Sequence, residues 1–244
     1  MQRTRLFIVK RICALGLVFM FGTCFGQTLG IYSKTATSTW AARSPLTITS
    51  PDRVKEISVD PIEHPQGDAI AVVTVRAYGH EHKTPIGAWV NAEAAWAPDS
   101  KAFFVTYSDG GNIGTYHVKI FYVEPTGLRI VEPFPNGRAL FKPNCFDPEF
   151  PNVGAIKWGA DSSRIVIAVE VPPHSSCASM GTFRGFEINV KDRKILQRYD
   201  QIQAKQLFAD SIGEELRNAD DGCIRHPDKC VPPGLTTRSR QTSR

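Results

Sequence analysis

The sequence predicts an all-β chain of three four-stranded, blade-like units followed by one C-terminal helix. Three observations carry this. Between Pro45 and Asp200, short apolar or alternating runs rich in β-branched residues alternate with turn clusters. A Trp-x-x-Asp-Ser pattern recurs within that region. After Asp200 the apolar spacing changes from that of strands to that of a helix. Runs of this length and type read as strands, and the change of period marks a change of element.

The chain opens with Arg3, Arg5, Lys10 and Arg11 and no acid, then an apolar run from Ile12 to Gly22, then small residues. This is the three-part layout of a secretory signal. Cys24 and Gly26 stand at the −3 and −1 positions of a cut before Gln27, which makes 1–26 a signal peptide. A spanning helix needs about 20 apolar residues, and this run has eleven. A lipoprotein with Cys24 lipidated is the lesser reading, because Phe21, Gly22 and Thr23 make a poor lipobox. The expected location is periplasmic or secreted, with no membrane span after cleavage. Residues 27–44 are polar and patternless and are expected to be a flexible lead-in. The formal charge of +5 comes largely from the two ends: four basic residues lie in the signal, and Arg238, Arg240 and Arg244 in a polar tail, 232–244, expected to be disordered. The body is near neutral, which argues against nucleic acid as a partner.

Within 45–200, the first unit should use strands near 46–49, 55–59, 70–77 and 84–90. The second should use 92–97, 102–108, 116–123 and 127–133. The third should use 153–158, 164–171, 182–190 and 194–199. Trp96-Ala97-Pro98-Asp99-Ser100 aligns without a gap on Trp158-Gly159-Ala160-Asp161-Ser162, each leading into an apolar strand, and Thr49-Ser50-Pro51-Asp52 is a degenerate earlier copy. Such a pattern describes a hairpin: Trp ends one strand facing the core, and Asp caps the turn by accepting backbone N–H bonds. Trp96, Asp99, Trp158 and Asp161 are therefore the repeat-turn residues.

The repeat resembles the WD40-like β-propeller repeat of the TolB type, whose hallmark is a W-S-P-D-G-like turn before an apolar strand. The resemblance covers about a dozen residues per copy. It implies a propeller-like fold in the bacterial envelope and does not specify an activity. Closed propellers typically use 4–8 blades, so three units imply an open or partial propeller, a sandwich-like packing, or assembly with another chain.

After Asp200, Ile202, Leu207, Phe208, Ile212 and Leu216 approximate a helical stripe. Asp200 as N-cap with Gln203 three residues on forms a capping box. The spacing predicts one helix over about 201–218, with residues 201–231 forming a helix and a disulfide loop. Removing the signal leaves Cys145, Cys177, Cys223 and Cys230. An even set in an oxidising compartment suggests two disulfides among three possible pairings. Cys223 and Cys230 flank a short loop, which leaves Cys145 with Cys177. Zinc competes poorly, since no close C-x-x-C occurs.

His80-Glu81-His82 is the most suggestive cluster for a metal. On a strand, His80 and His82 share a face and Glu81 points away, so a third ligand must come from elsewhere; the plainer reading is a polar hairpin tip. Asp109-Gly110-Gly111-Asn112, with Asp147 and Glu149, reads as a turn rather than a calcium loop. Trp89, Trp96 and Trp158 suit core packing better than a sugar platform. No G-x-S-x-G elbow, P-loop or G-x-G-x-x-G occurs, and no cofactor is implied. The leading expectation is an exported, non-enzymatic module that binds a protein or envelope component, with oligomers possible. The alternatives are a secreted hydrolase or metal-dependent enzyme with a loop-built site, using His80, His82, His117 or His174, and an extracytoplasmic small-ligand sensor.

Overall fold

The computed structural model describes residues 30–38, 46–63, 69–88, 91–108, 114–134, 150–226 and 230. Their strands form three antiparallel sheets. The first holds β2 (Leu46–Thr49), β3 (Glu56–Glu63), β4 (Ala69–Ala77) and β5 (His80–Ala88) in that order. The second holds β6 (Ala92–Trp96), β7 (Ala102–Ser108), β8 (Tyr116–Glu124) and β9 (Gly127–Val131), with the two-residue β1 (Thr37–Ser38) added beside β6. The third holds β10 (Asn152–Trp158), β11 (Arg164–Glu170), β12 (Phe183–Asn189) and β13 (Ile195–Tyr199).

Each sheet is thus a meander of four consecutive strands, as the runs and turn clusters predict. Two boundaries differ by about four residues: β3 runs on to Glu63 rather than ending near 59, and β5 begins at His80 rather than near 84. Ala77 pairs with His80 across a two-residue turn. Tyr78 and Gly79 take left-handed φ values of 53° and 79°, as a hairpin turn matched to strand twist requires. His80 and His82 therefore lie in the strand itself and not in a polar tip.

The sheets stack face to face. Ile57, Val59, Val73 and Val75 of the first sheet pack with Ala94, Trp96, Phe103, Val105 and Phe121 of the second. The opposite face of the second sheet offers Phe104, Val118 and Ile120 to Val153, Trp158, Ile165, Ile167 and Phe186 of the third. The middle position of the second sheet explains why β7, Ala-Phe-Phe-Val-Thr-Tyr-Ser, is buried at every residue. A strand covered on both faces reads as a continuous apolar run rather than an alternating one. The far face of the third sheet, with Ile156, Val166 and Ala168, is covered by Ala204, Ile212, Leu216 and Tyr32.

Two expectations are corrected here. The single helix over 201–218 is instead α1 (Gln201–Leu207) and α2 (Glu214–Asn218), with a further turn α3 (Gly222–Arg225). The capping box forms as expected: the Asp200 carboxylate accepts from the Gln203 amide and the Gln203 side chain accepts from the Asp200 amide. The interruption has a cause outside the helix. The Lys34 amide donates to Ser211 O, and the amides of Gly213, Glu214 and Glu215 donate to the carbonyls of Tyr32, Gly30 and Ile31. A Cβ at position 213 would lie 2.3 Å from the Ile31 carbonyl oxygen, so only glycine permits this approach.

The second correction concerns the lead-in. Residues 30–38, expected to be flexible, form a strap wedged between the sheets and residues 211–215 at the start of α2, with Tyr32 and Ser33 fully buried. The polar composition misled because the strap's amides are satisfied by partners far along the chain. The signal peptide, the tail, Trp89, Asp109 to Asn112, Cys145, Asp147 and Glu149 lie outside the described residues. Among the described residues, no helix is long and apolar enough to cross a membrane.

Candidate functional site

The repeat-turn residues come together as stitches between sheets. The Trp96 indole N–H donates to Ile48 O of the first sheet at 3.1 Å, and the Trp158 indole N–H donates to Ala95 O of the second at 3.1 Å. Ser100 Oγ accepts from the Asp52 amide at 2.9 Å, and Ser162 Oγ accepts from the Asp99 amide at 3.0 Å. Both serines sit at left-handed φ, 60° and 59°, which turns their hydroxyls toward the preceding sheet. Within each turn Asp99 Oδ1 accepts from the Lys101 amide, and Asp161 Oδ1 from the Ser163 amide. Asp52 does the same for the Val54 amide and also pairs with Lys55. The hydrogen bonds from Lys55 and then Ser50 pull Asp52 down to about 2. Asp99 and Asp161 thus each order their own turn by accepting a backbone N–H, as expected, and Asp52 and Asp99 in addition present their own amides to the serine of the next repeat.

At the other end of the second and third sheets lies a cluster that sequence reasoning did not single out. Glu93 on β6 is 2% exposed. Its carboxylate accepts from the amides of Ile31, Tyr32 and Ser33, the last at 3.1 Å. Glu170, at the end of β11 and 1% exposed, accepts from the Tyr32 hydroxyl at 2.7 Å and from Asn152 Nδ2 at 3.2 Å. Its Oε1 is buried without a hydrogen-bond partner. Asn152 Oδ1 accepts from the Tyr116 amide, and the Tyr116 and Tyr32 rings lie 5.2 Å apart. Gly154 makes room for this: a Cβ there would fall 2.0 Å from Tyr32 Cγ.

Burial dominates the electrostatics. It pushes Glu93 up to about 7, against the pull of the three strap amides. It pushes Glu170 up to about 8, opposed by the Tyr32 hydroxyl and assisted by the charge of Glu215. Tyr32 and Tyr116 are both raised, first by burial and then by these carboxylates. Raised carboxyls are what acid–base chemistry uses, but here the Glu93 carboxylate is taken up by the strap amides, Glu170 by the Tyr32 hydroxyl and Asn152, and both side chains are closed to solvent. Their signal in the sequence was a lone acid in a small or apolar run: Ala92-Glu93-Ala94 and Val169-Glu170-Val171.

The remaining candidates stay apart. His80 and His82 share one face of β5 with ring centroids 6.3 Å apart. His117 on β8 packs against Tyr107 on β7. Among the described residues no group of three or more His, Cys, Asp and Glu gathers. Cys223 and Cys230 form a disulfide with Cα atoms 5.5 Å apart, as the short loop between them suggested. Cys177 is buried and disulfide-bonded. No protein-family model, curated protein or solved structure matches the chain.

Proposed function

We propose that this chain is an exported, non-enzymatic β-repeat module that binds a protein or another envelope component. In this reading the three sheets are blade-like units of the TolB, WD40-like type, arranged as an open stack. The observation that carries it is the repeated stitch: Trp96 with Ser100, and Trp158 with Ser162, make the same two bonds to the preceding sheet. A stack built from one repeated junction is a scaffold whose loops and edges are free to vary for recognition. The two most perturbed carboxyls hold the strap rather than face a cleft, which favours binding over turnover. The disulfide fits an oxidising compartment.

Crosslinking of the mature protein in envelope extracts, followed by mass spectrometry, tests the reading. A stoichiometric partner with crosslinks confined to one edge or loop set supports it. A monodisperse protein that acquires no partner under varied conditions, or turnover in a broad esterase, glycosidase and peptidase screen, overturns it.

A further inference from the structure

The hairpin at Tyr78–Gly79 places His80 as the first residue of β5 and His82 two residues on. Side chains two apart on a strand project from the same face. Among the described residues β5 is the last strand of its sheet, so both rings stand at that sheet's edge. Their cross-strand neighbours on β4 are Ala77 and Val75, both buried and uncharged. Every charged group nearby on these strands is on the opposite face and already committed. Arg76 pairs with Glu56 and with Glu81, and Lys83 pairs with Glu81. On these strands the imidazole face therefore carries no cation and no carboxylate, and is backed by Ala77 and Val75.

We infer that His80 and His82 form a two-imidazole chelate for a divalent late transition ion, with Cu²⁺, Ni²⁺ and Zn²⁺ the class that imidazole suits. The geometry is near what chelation needs. A metal–nitrogen bond of about 2.0–2.1 Å puts each ring centroid about 3.2 Å from the ion, hence two centroids about 5.2 Å apart at a tetrahedral angle and about 6.4 Å apart in line. The observed 6.3 Å lies within this span, and a small side-chain rotation at an open edge closes it to the bent arrangement. The two protein ligands leave the other coordination positions to water. This site is independent of the binding role proposed above and of the buried carboxyls.

Titration of the tag-free full chain with Cu²⁺ alone, followed by electron paramagnetic resonance, tests it. One equivalent should bind saturably, with a nitrogen pattern from two imidazoles. His80→Asn and His82→Asn should each weaken binding by at least about tenfold, the loss seen even when outer partners of a metal are removed, and each should leave a one-imidazole spectrum. His117→Asn and His174→Asn should change neither. In the unmodified protein, Ni²⁺ should slow diethylpyrocarbonate labelling of His80 and His82 while leaving His174 unaffected, a readout that needs no variant to fold. Absence of saturable binding, a one-imidazole spectrum in the parent protein, or binding that survives in the double variant overturns the assignment.

Discussion

The two junctions between sheets are alike at one end and unlike at the other. At the turn end, the first–second and second–third junctions use the same indole-to-carbonyl bond and the same amide-to-serine bond. At the far end the second–third junction receives the strap, through Glu93, Ile156 and Glu170. There β10 carries a bulge between Ala155 and Lys157. The bulge frees the Ala155 amide to donate to Thr106 Oγ1 of the second sheet, while the Ile156 carbonyl accepts from Ser33 Oγ of the strap. A bulge re-aims backbone groups that a regular ladder would consume. The repeated end thus propagates the stack, and the unique end terminates it. The third sheet's outer face goes to the strap and α1–α2 instead of to another sheet.

The largest expected way to break this asymmetry is Glu93→Ala. It leaves three buried or half-buried strap amides without their acceptor, at a cost of about 3 kcal/mol or more. Urea unfolding should show the loss, and hydrogen exchange should show the amides of Ile31 to Ser33 exposed while those of β7 stay protected. Protection of the strap amides unchanged in the variant would mean that Glu93 does not hold the strap.

A pH series sharpens the same contrast. Glu93 and Glu170 titrate higher in the folded chain, at about 7 and about 8, than the ordinary carboxylate value of 4.5. The folded state therefore binds protons that the unfolded state has released. Their contribution is fully present below about pH 4.5 and is lost as pH rises through 7 to 8, with a slope approaching about 1.4 kcal/mol per pH unit for each group. Urea midpoints should fall across pH 5 to 8, and Glu170→Gln should flatten the fall. A parent profile that is flat there would exclude these two carboxyls as the strap's electrostatic anchor.

At the turn ends the two junctions should respond equally. Trp96→Phe and Trp158→Phe each delete an indole donor and part of a ring, for about 1–2 kcal/mol. Ser100→Ala and Ser162→Ala each remove one hydroxyl acceptor, for about 1 kcal/mol or less. Paired denaturation curves check both. A cost confined to one member of a pair would show that the junctions are not equivalent.

This division also explains what the sequence made legible. The strands, the turn residues and the capping box at Asp200 follow from local rules: period, turn chemistry and an Asp with a Gln three residues on. The Cys223–Cys230 loop is equally local. The strap and the split between α1 and α2 depend on contacts between residues 30–34 and 211–215, which no window of the sequence spans. Glu93 and Glu170 were visible only as acids in otherwise small or apolar strands. Their role depended on knowing that Tyr32, 138 positions before Glu170, arrives beside them. The histidine pair was legible as to face but not as to element, because the turn at Tyr78 uses a non-glycine residue at positive φ.

The strap has one more consequence, and it concerns time. Its backbone partners at Ser211, Gly213, Glu214 and Glu215 lie about 180 residues further along the chain and are synthesised after the three sheets. The strap's backbone bonds therefore cannot form until residues 211–215 exist. The sheets can form one hairpin after another from local contacts, but joining residues 30–34 to 211–215 adds the entropy of a long-range closure. The strap thus has two sets of anchors made at different times: Glu93, Glu170 and the Ile156 carbonyl come with the sheets, and the backbone bonds to residues 211–215 come later, so a chain cut short before Ser211 keeps the first set and loses the second.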